Sequence, residues 1–300
     1  MVKAYAWIII KLTYSYNPVK LSFAAGRISR SAPYPNGVRV SEWTDRDDRQ
    51  RVAMAEYEHV MCAPAPTPIS AYVDGGVIGF VFGEMWRRGV LTPRDRRWIT
   101  LACVGMADAA LPMETHCYAA LKSGDVTNEE IDEFLLFFGT QAGWPKGSAM
   151  LTHILAAMAK IADEDGEDVT FASFVPWTDP VADGVRRARG AAAYEAVHGV
   201  APPPPRTAFQ GVGELDYLYG EIWSRDEYLT RRDRRLIAIS CSAAVGIDTE
   251  TTHQLESALR SGELTFDELQ EVVVHVAVYL GWIVARRLDH LLVAAAAMHS

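Results

Sequence analysis

The sequence predicts an all-α protein made of two tandem helical bundles, because it repeats itself and both copies carry signals for helices. Residues 91–144 recur as residues 229–282 at an offset of 138, and 17 of the 54 aligned positions are identical. Self-similarity over this length is the mark of a structural repeat. Both copies also contain threonines that are followed by an acid three residues later, as at helix N-termini. We find no strand or hairpin pattern of comparable strength.

The repeat divides the chain into four predicted parts. Residues 1–40 form an N-terminal extension without a motif, and the first repeat covers residues 41–162. An acidic linker at residues 163–176 leads to the second repeat at residues 177–300. A chain of this length can bury two cores without disulfides or metals.

Individual helices follow in chain order. The predicted helix N-caps are Thr92, Thr127, Thr230 and Thr265, each with an acid in the turn that follows. A helix over residues 114–123 should end at Gly124, because glycine closes helices in the left-handed conformation. Apolar residues at three- and four-residue spacing over 131–142 predict a helix with one face in a core. Residues 147–162 and 285–298 are expected to form the packing helix that ends each repeat.

Composition excludes several classes of protein. A net charge of -9 argues against nucleic-acid binding, which needs a surplus of Lys and Arg. No apolar run approaches the roughly 20 residues that span a bilayer, so no membrane is expected as a partner. The short apolar segment near the start is a poor secretory signal. The four cysteines lack metal-ligand spacing, and we expect each to be buried and reduced in the cytoplasm, with no metal site: Cys62, Cys103, Cys117 and Cys241.

Three motifs resemble the carboxymuconolactone decarboxylase and alkylhydroperoxidase D superfamily. They are Glu-Thr-His-Cys-Tyr-Ala-Ala-Leu at 114–121, Trp-Ser-Arg at 223–225 with Leu-Thr-Arg-Arg-Asp-Arg at 229–234, and Gly-Trp-Pro at 143–145. The resemblance covers most of residues 43–160 and 177–298. It implies alkylhydroperoxidase D-like bundles that assemble into rings. It also implies one of two activities: cofactor-free decarboxylation of a lactone acid, or a peroxidase reaction that uses Cys-x-x-Cys.

The resemblance indicates a site at His116, which stands where the family places its histidine. We expect His116 to protonate the carbon released by decarboxylation, and its near-neutral pKa would suit that role. Arg96 is the second catalytic candidate, and Arg94, Trp86 and Trp144 are substrate-binding candidates. The alternatives are structural: a hydrogen-bonded helix histidine, arginines paired with nearby acids, and tryptophans packed in the core.

The second copy departs from this pattern. Gln254 occupies the place of His116, and His253 lies one residue early, which is about 100° around a helix. We therefore expect His253 on an exposed helix face and a lost or reshaped second site. The Cys-x-x-Cys pair is absent, and Arg97 and Arg235 replace the family's acid.

These residues support three hypotheses. The favoured one is a cofactor-independent lyase, a decarboxylase, whose partner is a small-molecule carboxylic or lactone acid. The alternative is a non-catalytic helical scaffold or ligand-binding pseudoenzyme. The third, a peroxiredoxin-type antioxidant activity, is disfavoured by the missing thiol pair. Because this chain fuses two copies, it should need half as many subunits as a ring, which predicts a dimer or trimer.

Overall fold

A computed structural model describes residues 45–166 and 182–298, and within these residues it contains helices and no strand. The all-α fold class is therefore confirmed. The predicted extension at 1–40 and most of the predicted linker, from residue 167 onward, lie outside the described residues. No helix in the described ranges is long and apolar enough to cross a membrane.

Each copy contributes six of the described helices, in the same order. The first copy contains α1 (Arg46–Met61), α2 (Tyr72–Met85), α3 (Pro93–Met106), α4 (Ala110–Lys122), α5 (Asn128–Ala142) and α6 (Trp144–Asp165). The second contains α7 (Asp183–His198), α8 (Phe209–Trp223), α9 (Arg231–Val245), α10 (Asp248–Ser261), α11 (Phe266–Leu280) and α12 (Trp282–Ala297). Helices α2 and α8 are π-helical, so the Trp86 N–H donates to the Val81 carbonyl five residues back.

Helix positions agree with the duplication. From α3 to α6, each helix begins 138 residues before its counterpart in the second copy, at 93 and 231, 110 and 248, 128 and 266, and 144 and 282. The two copies nevertheless pack closely together, with α3 against α9 and α11, and α5 against α9. The described residues, 45–166 and 182–298, belong to one compact unit, and the repeat boundaries remain predictions.

All four predicted threonine caps are present. In α3, Thr92 Oγ1 accepts from the Asp95 N–H at 3.1 Å, and the Asp95 carboxylate accepts from the Thr92 N–H at 3.0 Å. Thr230 and Asp233 form the same capping box at α9. These reciprocal bonds satisfy N–H groups that have no partner inside a helix. They also hold both aspartates where the copies meet.

The capping aspartates bind arginines of the opposite copy. Arg94 donates to Asp233 at 3.2 Å, and Arg232 donates to Asp95 at 3.1 Å. The two contacts are equivalent, because exchanging the two copies turns one contact into the other. This is the pattern of a twofold interface. The same helix starts therefore serve both local capping and attachment of one copy to the other.

The expectation of buried cysteines is confirmed for three of the four. Cys103, Cys117 and Cys241 are buried, and burial raises the pKa of the Cys103 and Cys117 thiols to about 12. For Cys62 the expectation was wrong, since it lies half-buried just after α1, with a left-handed φ of 50°. Among the described residues, no group of three potential metal ligands occurs.

Candidate functional site

His116 lies on α4, where aromatic side chains from both copies surround it. It is 6% exposed. The Trp86 ring stacks on it at 6.4 Å with an interplanar angle of 8°, and the Tyr279 ring meets it edge-on at 5.3 Å. Trp86 follows α2 of the first copy, whereas Tyr279 belongs to α11 of the second. The predicted substrate residue Trp86 is thus brought to His116, and part of the site comes from the other copy.

Arg97 is a member of this cluster that the sequence analysis did not propose as a site residue. Its guanidinium lies 5.0 Å from the Trp86 ring centre. Its Nε donates to Asp125 at 3.0 Å and its Nη2 donates to the Val60 carbonyl at 2.5 Å. Its Nη1 is buried without a partner, and so is Nδ1 of His116. Buried polar atoms without partners are rare and call for an explanation.

The second copy shows the same arginine with every group paired. Arg235 Nε donates to Glu263 at 2.9 Å and Nη2 donates to the Val197 carbonyl at 2.6 Å, as for Arg97. The remaining Nη1 donates to Gln254 Oε1 at 2.6 Å. Gln254 stands at the position equivalent to His116, so this one exchange supplies the acceptor that Arg97 Nη1 lacks. A comparison of positions 97 and 116 with 235 and 254 is the signal that could have identified Arg97.

Burial controls the charge of His116. Desolvation lowers its pKa to about 3, and the positive charge of Arg97 acts in the same direction. The imidazole is therefore neutral at pH 7 in the structure as it stands. The near-neutral pKa expected from the sequence was wrong, because the surrounding rings exclude the water that would solvate an imidazolium.

Arg96 lies beside His275 rather than against His116. Its Nη1 donates to His275 Nδ1 at 3.2 Å, and its Nη2 donates to the Arg88 carbonyl at 2.5 Å. Its carboxylate neighbour is Glu271, at 3.7 Å. The edge of His275 meets the Trp86 ring at 5.1 Å. Arg96 is therefore connected to the His116 cluster through His275 and Trp86.

Arg94 and Trp144 are not brought to His116. Arg94 pairs with Asp233 and Glu130, which occupies its guanidinium at the junction of the copies. The Trp144 side chain is 54% exposed, so the alternative of core packing was also wrong. Trp144 instead lines a surface groove of about 330 Å³ together with Arg225. The structure therefore supports neither as a residue of the His116 site.

His253 is not on an exposed helix face. It is half-buried and stacks on His198 at 4.1 Å with an interplanar angle of 10°. His198 is fully hydrogen-bonded, to Ser257 at 2.8 Å and to Tyr219 at 2.7 Å. The expectation failed because α7 packs against this side of α10 and covers it. His253 is thus a packing residue of the second copy.

Glu56 on α1 is a further perturbed group that the sequence analysis missed. Burial raises its pKa to about 7, although Arg87 and Arg96 oppose this rise. Its Oε1 is buried without a partner. At the equivalent place, 137 residues on, the second copy has Ala193. The second copy therefore has no carboxyl at the position of Glu56.

Comparison with known proteins agrees with the helical architecture. No curated protein matches the chain. The sequence profile of the carboxymuconolactone decarboxylase family matches residues 215–294, from the second half of α8 into α12. This range includes Arg235, Gln254 and Tyr279. Over residues 215–294, the chain is therefore similar to the carboxymuconolactone decarboxylase family.

Proposed function

We propose that this protein is a cofactor-independent lyase that decarboxylates a small organic or lactone acid at His116. One observation carries the proposal. Arg97 Nη1 and His116 Nδ1 are buried without partners, whereas Gln254 occupies the equivalent arginine nitrogen in the second copy. A carboxylate accepts hydrogen bonds from both an arginine and an imidazole N–H, so it is the ligand that best satisfies the pair.

The substrate should carry an anionic group that remains bound throughout the reaction. Hydrogen bonds from Arg97 to the departing carboxylate would stabilise the ground state and slow its loss. Arg97 is therefore better suited to a second carboxylate or an oxygen-rich lactone group, while the carboxylate that leaves lies in the apolar surroundings of Trp86. This favours dicarboxylic acids and lactone acids over simple monoacids.

His116 is the proposed proton donor. A bound anion would offset the desolvation that keeps the imidazole neutral, and its pKa would rise. In the reaction, the bond between the substrate carbon and its carboxyl carbon breaks and CO₂ leaves. The electron pair stays on the substrate, and the imidazolium proton forms the new C–H bond. The neutral imidazole then takes up a proton from solvent.

Ligand binding without catalysis is the second candidate, and one observation favours it. Without an anion His116 is neutral and has no acidic proton to donate to carbon. An anion that bound without raising the pKa of His116 would therefore remain chemically unchanged. A thiol peroxidase has less support. The buried Cys117 is adjacent to His116 in sequence, but burial raises the pKa of its thiol to about 12, which opposes formation of the reactive thiolate.

The place of action and the assembly are proposed with the function. Four free cysteines, three of them buried, suit a reducing compartment such as the cytoplasm. A homo-oligomer of two or three chains follows from the resemblance to ring-forming proteins and the fused copies. The proposed partner is the small acid itself.

His116→Gln tests the function directly. CO₂ release should first be screened with the wild-type protein against a panel of lactone, keto and dicarboxylic acids. With an active substrate, the variant should lose roughly 10²–10⁴-fold in kcat, as expected for loss of a general acid. Its free energy of unfolding at pH 7 should not fall, because the new amide can accept from Arg97 Nη1 as Gln254 accepts from Arg235.

His253→Gln is the matched control, since it changes the neighbouring register position of the second copy. It should leave kcat within about twofold of wild type. Equal losses in the two variants would contradict a single site at His116. Binding of acids without CO₂ release from any of them would favour the ligand-binding protein.

A further inference from the structure

The Tyr279 hydroxyl is the group of the site for which the mechanism so far has no role. Tyr279 comes from α11 of the second copy, and its ring meets the His116 ring edge-on at 5.3 Å. Its oxygen accepts a hydrogen bond from Trp86 Nε1 at 2.8 Å. The same indole stacks on His116, so Trp86 joins the tyrosine oxygen to the imidazole.

A chain of hydrogen bonds that begins at Arg96 determines which atom donates and which accepts in each contact. Arginine only donates, so His275 Nδ1 must accept from Arg96 Nη1, and the proton of the neutral ring is on Nε2. That N–H donates to Thr100 Oγ1 at 2.8 Å. Thr100 then keeps its own proton, and it is a polar neighbour of the Tyr279 oxygen.

Tyr279 accepts a hydrogen bond from Trp86, and its own proton is left for a further partner. Within residues 45–166 and 182–298, its one other polar neighbour is Thr100, whose oxygen already accepts from His275. Burial raises the pKa of Tyr279 to about 12, so the phenol stays protonated at neutral pH. A donor on a phenol oxygen also polarises its O–H bond and strengthens it as a donor.

The equivalent place around Gln254 lacks this arrangement. There the corresponding helix is α5 of the first copy, in which Phe137 stands in the place of His275 and Gln141 in the place of Tyr279, each 138 residues earlier. Phe137 packs edge-on against Trp223 at 5.1 Å, much as His275 packs against Trp86. The aromatic packing is thus kept in both copies, whereas the donor chain occurs only beside His116. His275 and Tyr279 occur together at this one place, which indicates that they serve a common role.

We propose that Tyr279 is a catalytic residue that donates its phenolic hydrogen bond to the oxyanion formed on the substrate as CO₂ leaves. This rests on the proposed function. The substrate carries a carbonyl β to the carboxyl group that leaves, so the electron pair of the broken C–C bond forms a C=C bond and the carbonyl oxygen becomes an enolate oxygen, which Tyr279 stabilises. The carbonyl forms again when His116 delivers its proton to carbon. Tyr279 keeps its proton throughout. The second copy thereby completes the active site of the first.

A matched pair of ligands tests the hydrogen bond without requiring turnover. Pentanoate and 4-oxopentanoate share a carboxylate for Arg97, but only the second has a ketone oxygen for Tyr279, placed as in the product of a dicarboxylic 3-oxo acid. Calorimetric titration should show Tyr279→Phe weakening 4-oxopentanoate roughly fivefold to tenfold, as for loss of one hydrogen bond, and leaving pentanoate unchanged. With a turned-over substrate, kcat should fall by more than KM rises, because the hydrogen bond strengthens as charge develops on the oxygen.

Two further variants separate this role from a structural one. Gln141→Leu, at the equivalent position of the other copy, should leave both affinities unchanged. Incorporation of 3-fluorotyrosine at position 279 preserves the packing and makes the phenol more acidic, so it should tighten the binding of 4-oxopentanoate selectively. This variant also provides the test if Tyr279→Phe fails to fold.

The possible failures can be told apart. If wild-type protein binds neither acid, the carboxylate site is wrong and the role of Tyr279 falls with it. If wild type binds both acids, but changes at position 279 affect them equally or not at all, the site stands and the role of Tyr279 is overturned.

Discussion

At the scale of single residues, the two copies differ in how one equivalent arginine is held. Three contacts hold Arg235, through Glu263, Val197 and Gln254, whereas Arg97 has only the equivalents of the first two, to Asp125 and Val60. Two buried nitrogens without partners cost free energy in the empty protein. Such a cost is expected where a ligand supplies the missing acceptor.

The buried histidines predict a pH dependence of stability. The pKa of His116 is lowered to about 3 and that of His275 is lowered well below its usual value, whereas an unfolded histidine titrates near 6.5. Above that pH both states are neutral and nothing is lost. As the pH falls below about 6.5, the unfolded chain takes up protons that the folded chain refuses, so stability declines down to about pH 3.

His116→Gln should remove one of the protons that the unfolded chain takes up and the folded chain does not. Between pH 6 and pH 5, its free energy of unfolding should fall less than that of wild type, by about 1.4 kcal/mol per pH unit at most. Urea denaturation at pH 7, 6 and 5 measures the difference. Parallel slopes for the two proteins would mean that His116 titrates normally in the folded state.

At the scale of elements, glycines set how closely α7 approaches the π-helix α8. A Cβ on Gly190 would lie 1.7 Å from the Leu215 carbonyl oxygen, and one on Gly220 would lie 2.8 Å from the Arg186 carbonyl. Backbone atoms cannot move aside as a flexible side chain can. This contact places His198, the last residue of α7, against α10, and so determines the packing that encloses His253.

Gly190→Ala should therefore separate the two helices. We expect a loss of about 1–3 kcal/mol in the free energy of unfolding, as for overpacking of a close contact. Gly184→Ala is the control, because it lies in the same helix with open space around its Cβ position, and it should cause no loss. Equal stability of both variants in chemical denaturation would show that α7 is not held by this contact.

At the scale of the whole molecule, buried acids join the copies. Glu133 accepts from Arg225 at 2.8 Å and from Arg234 at 2.7 Å, and Glu271 takes the equivalent place between Arg88 and Arg96. The cluster around Glu133 and the cluster around Glu271 are therefore equivalent when the two copies are exchanged. A chain that contains both halves of a twofold interface needs no second chain to form it, and the expected dimer or trimer remains a prediction about further contacts.

Loss of the central acid should destabilise the whole molecule. Glu133→Ala leaves the buried Arg234 without its counter-charge, and removal of one member of a buried pair costs about 3–5 kcal/mol. Asp248→Ala breaks the exposed pair with Arg287 and should change stability little. Thermal or urea unfolding compares the two. A Glu133→Ala variant as stable as the Asp248→Ala variant would show that the cluster does not join the copies.

Much of the fold follows from local sequence. The threonine caps, the helix starts spaced by 138 residues and the apolar stripe of α5 depend on neighbours within a few positions, so periodicity and capping chemistry predict them. The π-helical form of α2 and α8 was not predicted, because both helices were left without a specific assignment. The ends of α4 and α6 were also missed by several residues, since helix ends depend on packing.

The sequence by itself determined the all-α class, the duplication and the place of His116. It did not predict the pairing of Arg94 with Asp233, the exposure of Trp144 or the contact of Tyr279 with His116. These depend on which helices of one copy face the other, and residues more than a hundred positions apart carry no local signal of contact. Tertiary structure alone decided that the first copy's histidine is buried, neutral and in contact with a tyrosine of the second, because desolvation and ring packing depend on neighbours in space.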